Sequence, residues 1–133
     1  MRARINQNEV KNKAQGAPFS CYYDTGFAEI ADIEACVPTR GPVKGEGITA
    51  KQMPAIQAVC TTHTGSYDTI NPAYKALLDY AKEHNLGYGL PSREVYHKGP
   101  GMLFWGNPNK YVTEIMIPIQ RNCREQLYNK LPC

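Results

Sequence analysis

One carboxylate in this sequence lies among residues that normally form a hydrophobic strand. Glu114 falls in the segment from Tyr111 to Ile117, where alternate side chains of a strand point to opposite faces. Its neighbours on the same face are Val112 and Met116, so we expect the carboxylate in a desolvated setting. A buried, unpaired carboxylate is costly or takes up a proton. A buried Arg or Lys, a hydroxyl donor such as Tyr, or a cationic ligand must therefore compensate Glu114.

Aromatic side chains that could share a site with this carboxylate are plentiful. The chain has nine tyrosines, and Phe104 and Trp105 form an aromatic pair shortly before the Glu114 strand. An aromatic face beside a carboxylate can bind a lipophilic cation through cation–π attraction and charge neutralisation. The alternative is structural, because most tyrosines pack their rings and turn the hydroxyl to water.

Other reactive residue types give no pattern that indicates catalysis or metal binding. The five cysteines contain no C-x-x-C pair and the three histidines are dispersed, whereas zinc sites need closely spaced ligand pairs. His63 has no acidic residue or cysteine beside it for nucleophilic chemistry and is expected to be structural. Glu34 shares a strand face with Asp32 and Cys36, which favours a solvated carboxylate. We predict no metal, no cofactor and no catalytic residue.

The helix and strands that position these side chains can be placed from local signals. Asn71 and Pro72 favour a helix start, and an apolar stripe follows at helical spacing, which predicts a helix over residues 71–85. Short strands are predicted at 19–23, 33–37, 56–63, 94–97 and 111–117. Pro38 and Pro118 are expected to end the second and the last of these strands, because proline cannot continue a central ladder.

An internal repeat organises these elements. The segment Glu34–Pro38 matches Glu114–Pro118, and a tyrosine-bearing strand that follows a proline precedes each copy, at Pro18–Tyr23 and Pro91–Tyr96. The first copy has far fewer residues upstream than the second. The repeat predicts an α+β fold with two pseudo-symmetric antiparallel βαββ-type halves, of which the first is shortened.

Length and charge limit the classes of protein that fit. We expect one domain over residues 1–133, with a variable basic N-terminus (1–15) and a C-terminal tail (121–133). The net charge is +3, but the excess of positive charge lies in the two ends, which argues against direct nucleic-acid binding. No segment resembles a signal peptide or a membrane span, so we expect a cytoplasmic protein.

The order and spacing of several short segments resemble the DNA gyrase inhibitor-like (GyrI-like) small-molecule-binding domain. This domain is also the effector-binding domain of AraC-type and related multidrug-responsive bacterial transcription regulators. The matching segments span about residues 17–120 and are Ala17-Pro18, Tyr22-Tyr23-Asp24, Asp32-Ile33-Glu34, Met53-Pro54-Ala55, His63–Tyr67, Ala73–Leu77, Pro91–Tyr96 and Thr113–Ile115.

The resemblance implies a ligand cleft between the two halves. In such domains a glutamate of the last strand lies in an aromatic pocket, and Glu114 occupies that strand position. By the same match Tyr67 and Tyr96 are pocket residues. Tyr23 is a further candidate by the symmetry of the repeat, and Phe104 and Trp105 are candidates because they lie shortly before the Glu114 strand. The family usually begins with a strand and a full helix that this chain lacks or replaces.

The function that follows is binding or sensing of a small hydrophobic or cationic molecule by a stand-alone domain. Hydrolysis of a reactive xenobiotic in the same pocket is a less favoured alternative, as is a protein-interaction role that inhibits a gyrase-like partner. A homodimer is the further partner arrangement that the shortened first half suggests.

Overall fold

A computed structural model describes residues 13–24, 31–99 and 106–121, with the main chain only at residue 121. Phe104, Trp105 and most of both termini therefore lie outside the described residues. The elements are β1 (Phe19–Tyr22), β2 (Ile33–Cys36), β3 (Ala58–Thr64), α1 (Asn71–Glu83), β4 (Leu86–Tyr88), β5 (Ser92–Lys98) and β6 (Val112–Arg121). Short 3-10 turns at Tyr67–Thr69 and Pro108–Lys110 precede α1 and β6.

The strands form one antiparallel sheet in the order β2-β1-β5-β6-β3, and β4 pairs with the end of β6. Helix α1 covers one face of the β3–β6 side through Leu77, which packs with Val59, Ile70, Ile115 and Ile117 in the main core. The predicted α+β class is confirmed. None of the described helices is long and apolar enough to cross a membrane.

The predicted duplication is visible in the strand registers. Cys21 lies opposite Glu34 in the β1–β2 pair, and Val95 lies opposite Glu114 in the β5–β6 pair, so the two copies of the Glu-x-x-x-Pro segment have the same partner position. The carbonyl of the proline that closes each copy also accepts a hydrogen bond from a main-chain amide, and the two amides lie at equivalent positions. The Gln15 amide donates to Pro38 O at 2.8 Å, and the Gly89 amide donates to Pro118 O at 3.0 Å.

The first half is shorter than the second within the described residues, where β3 and α1 have no counterpart on the β2 side of the sheet. The consequence is a difference in burial at equivalent positions. Ile33 and Val37 are both 48% exposed, whereas their equivalents Thr113 and Ile117 are buried beneath α1 and its surroundings.

The expectation that Pro118 ends its strand is wrong, because β6 continues to Arg121. Successive residues of a strand direct their main-chain polar groups to opposite sides. The carbonyl of Pro118 faces the β4–β5 side, where it accepts from Gly89, while the Ile119 amide donates to Gln57 O at 2.9 Å on the other side. The missing N–H of Pro118 thus falls in the gap between β4 and β5, where no ladder bond is lost.

Candidate functional site

A glutamate surrounded by tyrosines lies on the face of the sheet that carries α1. In β5 the alternation places Ser92, Glu94 and Tyr96 on this face. The register pairs Ser20 with Glu94 in the adjacent β1, which puts Tyr22 of that strand on the same face. A further phenol, that of Tyr74, comes from the first turns of α1.

Three phenol hydroxyls donate to the Glu94 carboxylate. Tyr96 Oη is 3.1 Å and Tyr22 Oη 3.2 Å from Glu94 Oε2, while Tyr74 Oη donates to Oε1. The hydroxyls of Tyr22 and Tyr96 are themselves 3.2 Å apart. Glu94 is only 8% exposed, so these three donors replace most of the water that the carboxylate loses on folding.

The surroundings keep the phenols in their protonated, donating form. Burial raises the pKa of Tyr22 and of Tyr74 well above its usual value near 10, and hydrogen bonding and the Glu94 charge raise both further. Burial also raises the pKa of Tyr96. An ionised phenol here would face a carboxylate in a poorly hydrated site, so the hydroxyl protons are retained at physiological pH.

Tyr67 extends this aromatic group to the protein surface. Its ring meets that of Tyr96 edge to face at a centroid distance of 5.8 Å and meets that of Tyr111 at 5.3 Å. Tyr67 is 37% exposed. A side chain at Gly99 would place its Cβ 2.9 Å from the Tyr67 hydroxyl, so the glycine leaves room for this ring.

The turn that carries Tyr67 is held by its own polar residues. His63 Nε2 lies 3.0 Å from the Ser66 carbonyl oxygen and 3.2 Å from Thr69 Oγ1. Gly65, at a positive φ of 137°, donates its amide to Tyr111 O at 2.8 Å. His63 thus shapes the turn, in line with the structural role expected for it.

The structure places Glu114 on the opposite face of the sheet from Glu94. Its Oε2 is 2.8 Å from Nε2 of His97, and its side chain is 28% exposed. The compensating group is therefore a histidine, and the carboxylate is partly hydrated rather than desolvated as expected. This exposure arises because α1 covers only the other face of β6. A ligand role for Glu114 stays a prediction.

The other predicted site residues divide between the two faces. Tyr67 and Tyr96 lie together in the group around Glu94, whereas Tyr23 donates to Glu34 Oε1 at 3.3 Å on the Glu114 face. Phe104 and Trp105 lie outside the described residues. The sequence analysis missed Glu94, Tyr22 and Tyr74; the signal available was the polar, tyrosine-bearing face of the β5 segment.

One set of side chains has the types and spacing of metal ligands. A sulfur of Cys21, a sulfur of Cys36 and an oxygen of Glu34 lie within 4.8 Å of one another. The Lys51 ammonium is 2.7 Å from Glu34, and burial raises the pKa of the Cys36 thiol to about 12. Both features disfavour metal binding at this position, because the Lys51 ammonium already pairs with Glu34 and because the raised pKa keeps the Cys36 thiol protonated, whereas a metal ligand must be a thiolate.

The antiparallel sheet and the helix that covers one of its faces define an α+β domain. The chain belongs to the family of GyrI-like small-molecule-binding domains, whose model matches residues 1–120. The family resemblance inferred from the sequence is thereby confirmed.

Two solved structures are similar to the chain, each at 27% sequence identity. The first is a cryo-EM structure of an EcmrR–DNA complex in EcmrR-RPo, with a TM-score of 0.72 over 89% of this chain and 46% of that one. The second is a crystal structure of the EcmrR C-terminal domain, with a TM-score of 0.70 over 87% of this chain and 78% of that one. The chain thus spans less than half of the EcmrR chain in the DNA complex. No curated protein matches the chain significantly.

Proposed function

We propose that this domain binds a small lipophilic cation, with Glu94 as the charge partner and the surrounding tyrosine rings as the apolar walls. The observation that carries the proposal is a carboxylate that is 8% exposed, bonded to phenols and paired with no Lys, Arg or His among the described residues. A buried negative charge without a cation favours a positively charged guest.

The tyrosines suit such a guest for two reasons. Their rings present negative faces that attract a cation, and the effect is larger when the cation has lost its water. Their hydroxyls hydrogen-bond to the carboxylate and fix its position in the absence of a ligand. Because Glu94 is almost fully covered, a ligand must displace at least one ring to reach it, and Tyr67 is the most exposed member of the group.

A matched pair of ligands tests the role of charge. The probes are phenylbutyltrimethylammonium and its uncharged tert-butyl analogue, which differ only in the quaternary atom. We expect calorimetry to show at least about tenfold tighter binding of the cation to the wild-type protein, equivalent to about 1.4 kcal/mol. Glu94→Gln keeps the shape and one acceptor but should abolish the preference.

Glu114→Gln is the matched control and also tests the sequence-based assignment. With Glu94 as the partner, this variant keeps the preference for the cation. If Glu114→Gln loses it and Glu94→Gln keeps it, the assignment to Glu94 is wrong and that to Glu114 is right. Tyr96→Phe, which keeps the carboxylate, separates loss of charge from disturbance of the site, and thermal melts confirm that each variant is folded.

The role we propose for this binding is sensing, since one similar structure is that of EcmrR bound to DNA. A ligand-sensing part of a transcription regulator works in the cytoplasm, where we place this domain. Binding without turnover is the expected result of incubating the probes and recovering them for mass spectrometry. Recovery of hydrolysed products from a reactive xenobiotic, lost in Glu94→Gln, would favour the hydrolase alternative.

A further inference from the structure

A cleft lies on the face of the sheet opposite Glu94. It has a volume of about 370 Å³ and is formed by the segment 51–56, the residues before β5 and part of β6. Its walls are largely apolar and include Met53, Ile56, Leu90 and Pro118. The size falls in the range of small-molecule sites, roughly 300–1,000 Å³.

Arg93 lines this cleft, and one of its hydrogen-bond donors has no partner. The residue precedes Glu94 in β5, so the alternation of the strand directs its side chain to the other face. Its Nη2 donates to Pro54 O at 3.4 Å and its guanidinium carbon lies 6.0 Å from the centre of the Phe19 ring. The buried Nε has no hydrogen-bond partner, and no carboxylate of the described residues is within ion-pair distance of Arg93.

The residues that line the cleft include two cations and no carboxylate. Lys51 is the second cation, and its ammonium is 2.7 Å from Glu34, so that Glu34 neutralises most of its charge. The uncompensated charge of the cleft is therefore that of Arg93. An anion that contacts the guanidinium would neutralise this charge.

We propose that this cleft binds a small amphipathic anion, with a carboxylate on the guanidinium of Arg93 and an apolar body against Met53, Ile56 and Leu90. The planar guanidinium suits a two-pronged contact with a carboxylate. Neighbouring residues of one strand, Arg93 and Glu94, then serve sites of opposite charge preference on opposite faces. This site is independent of the proposed cation site.

Naphthalene-2-carboxylate and its uncharged carboxamide are the probes. We expect the wild-type protein to bind the carboxylate at least about tenfold tighter than the amide, with affinity that falls as salt is added. Arg93→Met retains an apolar stem and should remove the preference for the carboxylate, while Arg93→Lys, which keeps charge but not the fork, should retain part of it. Lys44→Met removes an exposed cation that does not line the cleft and should change nothing.

The proposal is overturned if carboxylate and amide bind equally, if neither binds at millimolar concentration, or if Arg93→Met binds the carboxylate as wild type does. Chemical-shift changes should fall on Met53, Ile56 and Leu90 rather than on Tyr22 and Tyr96. Binding of the ammonium probe is the internal control: it should be unchanged in Arg93→Met, so the two sites can fail separately.

Discussion

At the scale of single residues, two glutamates show why burial is difficult to infer from a strand alone. Glu114 is flanked on its face by Val112 and Met116, which predicts a buried side chain, yet it pairs with His97 and is 28% exposed. Glu94 is flanked by Ser92 and Tyr96, which predicts an exposed side chain, yet it is buried. Neighbours along a strand define a face, but the element that covers the face decides hydration, and α1 covers the face of Glu94.

The raised pKa values of the phenols predict a loss of stability in alkaline solution. Below the ordinary tyrosine pKa near 10, the folded and unfolded states are both protonated and the stability is complete. Above it the unfolded chain releases protons that Tyr22 and Tyr74 still hold in the folded state, so the free energy of unfolding falls as pH rises. Urea unfolding at pH 8 and at pH 11 measures this fall.

A phenylalanine variant assigns part of that pH dependence to one residue. Tyr74→Phe removes one of the phenols that retain their protons, so the fall in unfolding free energy between pH 8 and 11 should be smaller than in wild type. Tyr88→Phe, at an exposed position of β4, is the control and should leave the difference unchanged. An identical pH dependence in wild type and Tyr74→Phe would contradict the assigned protonation of Tyr74.

At the scale of elements, the sequence predicts the kinds of structure better than their alignment. The helix begins at the predicted residue 71, but the N-cap is Ile70 and not Asn71, with no side-chain cap hydrogen bond; Asn85 follows its end at a positive φ of 54°. The repeat is also correctly predicted, but matching Pro18 to Pro91 shifts the strands by one residue. The observed registers make Tyr22, not Tyr23, the equivalent of Tyr96. A shift of one residue moves a side chain to the other face of the sheet, so the proline match selects Tyr23 where the structure has Tyr22.

Helix α1 packs against the sheet beside the proposed ligand site, and this packing predicts a large effect of one truncation. Leu77 is 5% exposed and packs in the core with Ile115 and Ile117. Leu77→Ala should lower the unfolding free energy by about 2–4 kcal/mol, because the side chain leaves a cavity as well as losing its own burial. Lys75→Ala breaks an exposed pair with Asp79 and should leave the unfolding free energy almost unchanged. Equal effects of the two variants in urea unfolding would show that α1 is not packed as described.

At the scale of the whole molecule, the duplication accounts for the position of the proposed ligand site. The registers that make Cys21 equivalent to Val95 also make Ser20 equivalent to Glu94, and these two residues lie opposite each other in the β1–β5 pair. The approximate two-fold axis therefore passes through the Ser20–Glu94 pair. The equivalent tyrosines, Tyr22 and Tyr96, converge on this pair, at which one half has a serine and the other a glutamate. The sequence shows the repeat, but only strand pairing shows which residues meet at its axis.

The same duplication predicts a difference in amide exchange between the two halves. The Ile119 amide donates to Gln57 O, which sets the alternation along β6 so that the amides of Thr113 and Ile115 bond to β3. Their equivalents in β2 are Ile33 and Ala35. The Tyr23 amide donates to Asp32 O, so by the same alternation these two amides face away from β1. Among the described residues, no strand lies on that side of β2.

Residue-resolved hydrogen exchange by NMR measures this difference. We expect Ile33 and Ala35 to exchange at least about 100-fold faster than Thr113 and Ile115, because an amide bonded within a sheet exchanges only when the sheet opens. Glu34, whose amide faces β1, is the control within the same strand and should exchange more slowly than Ala35. Slow exchange of Ala35 that becomes fast on dilution would instead show that a second copy of the chain pairs with β2, and slow exchange at every concentration would contradict an open β2 edge.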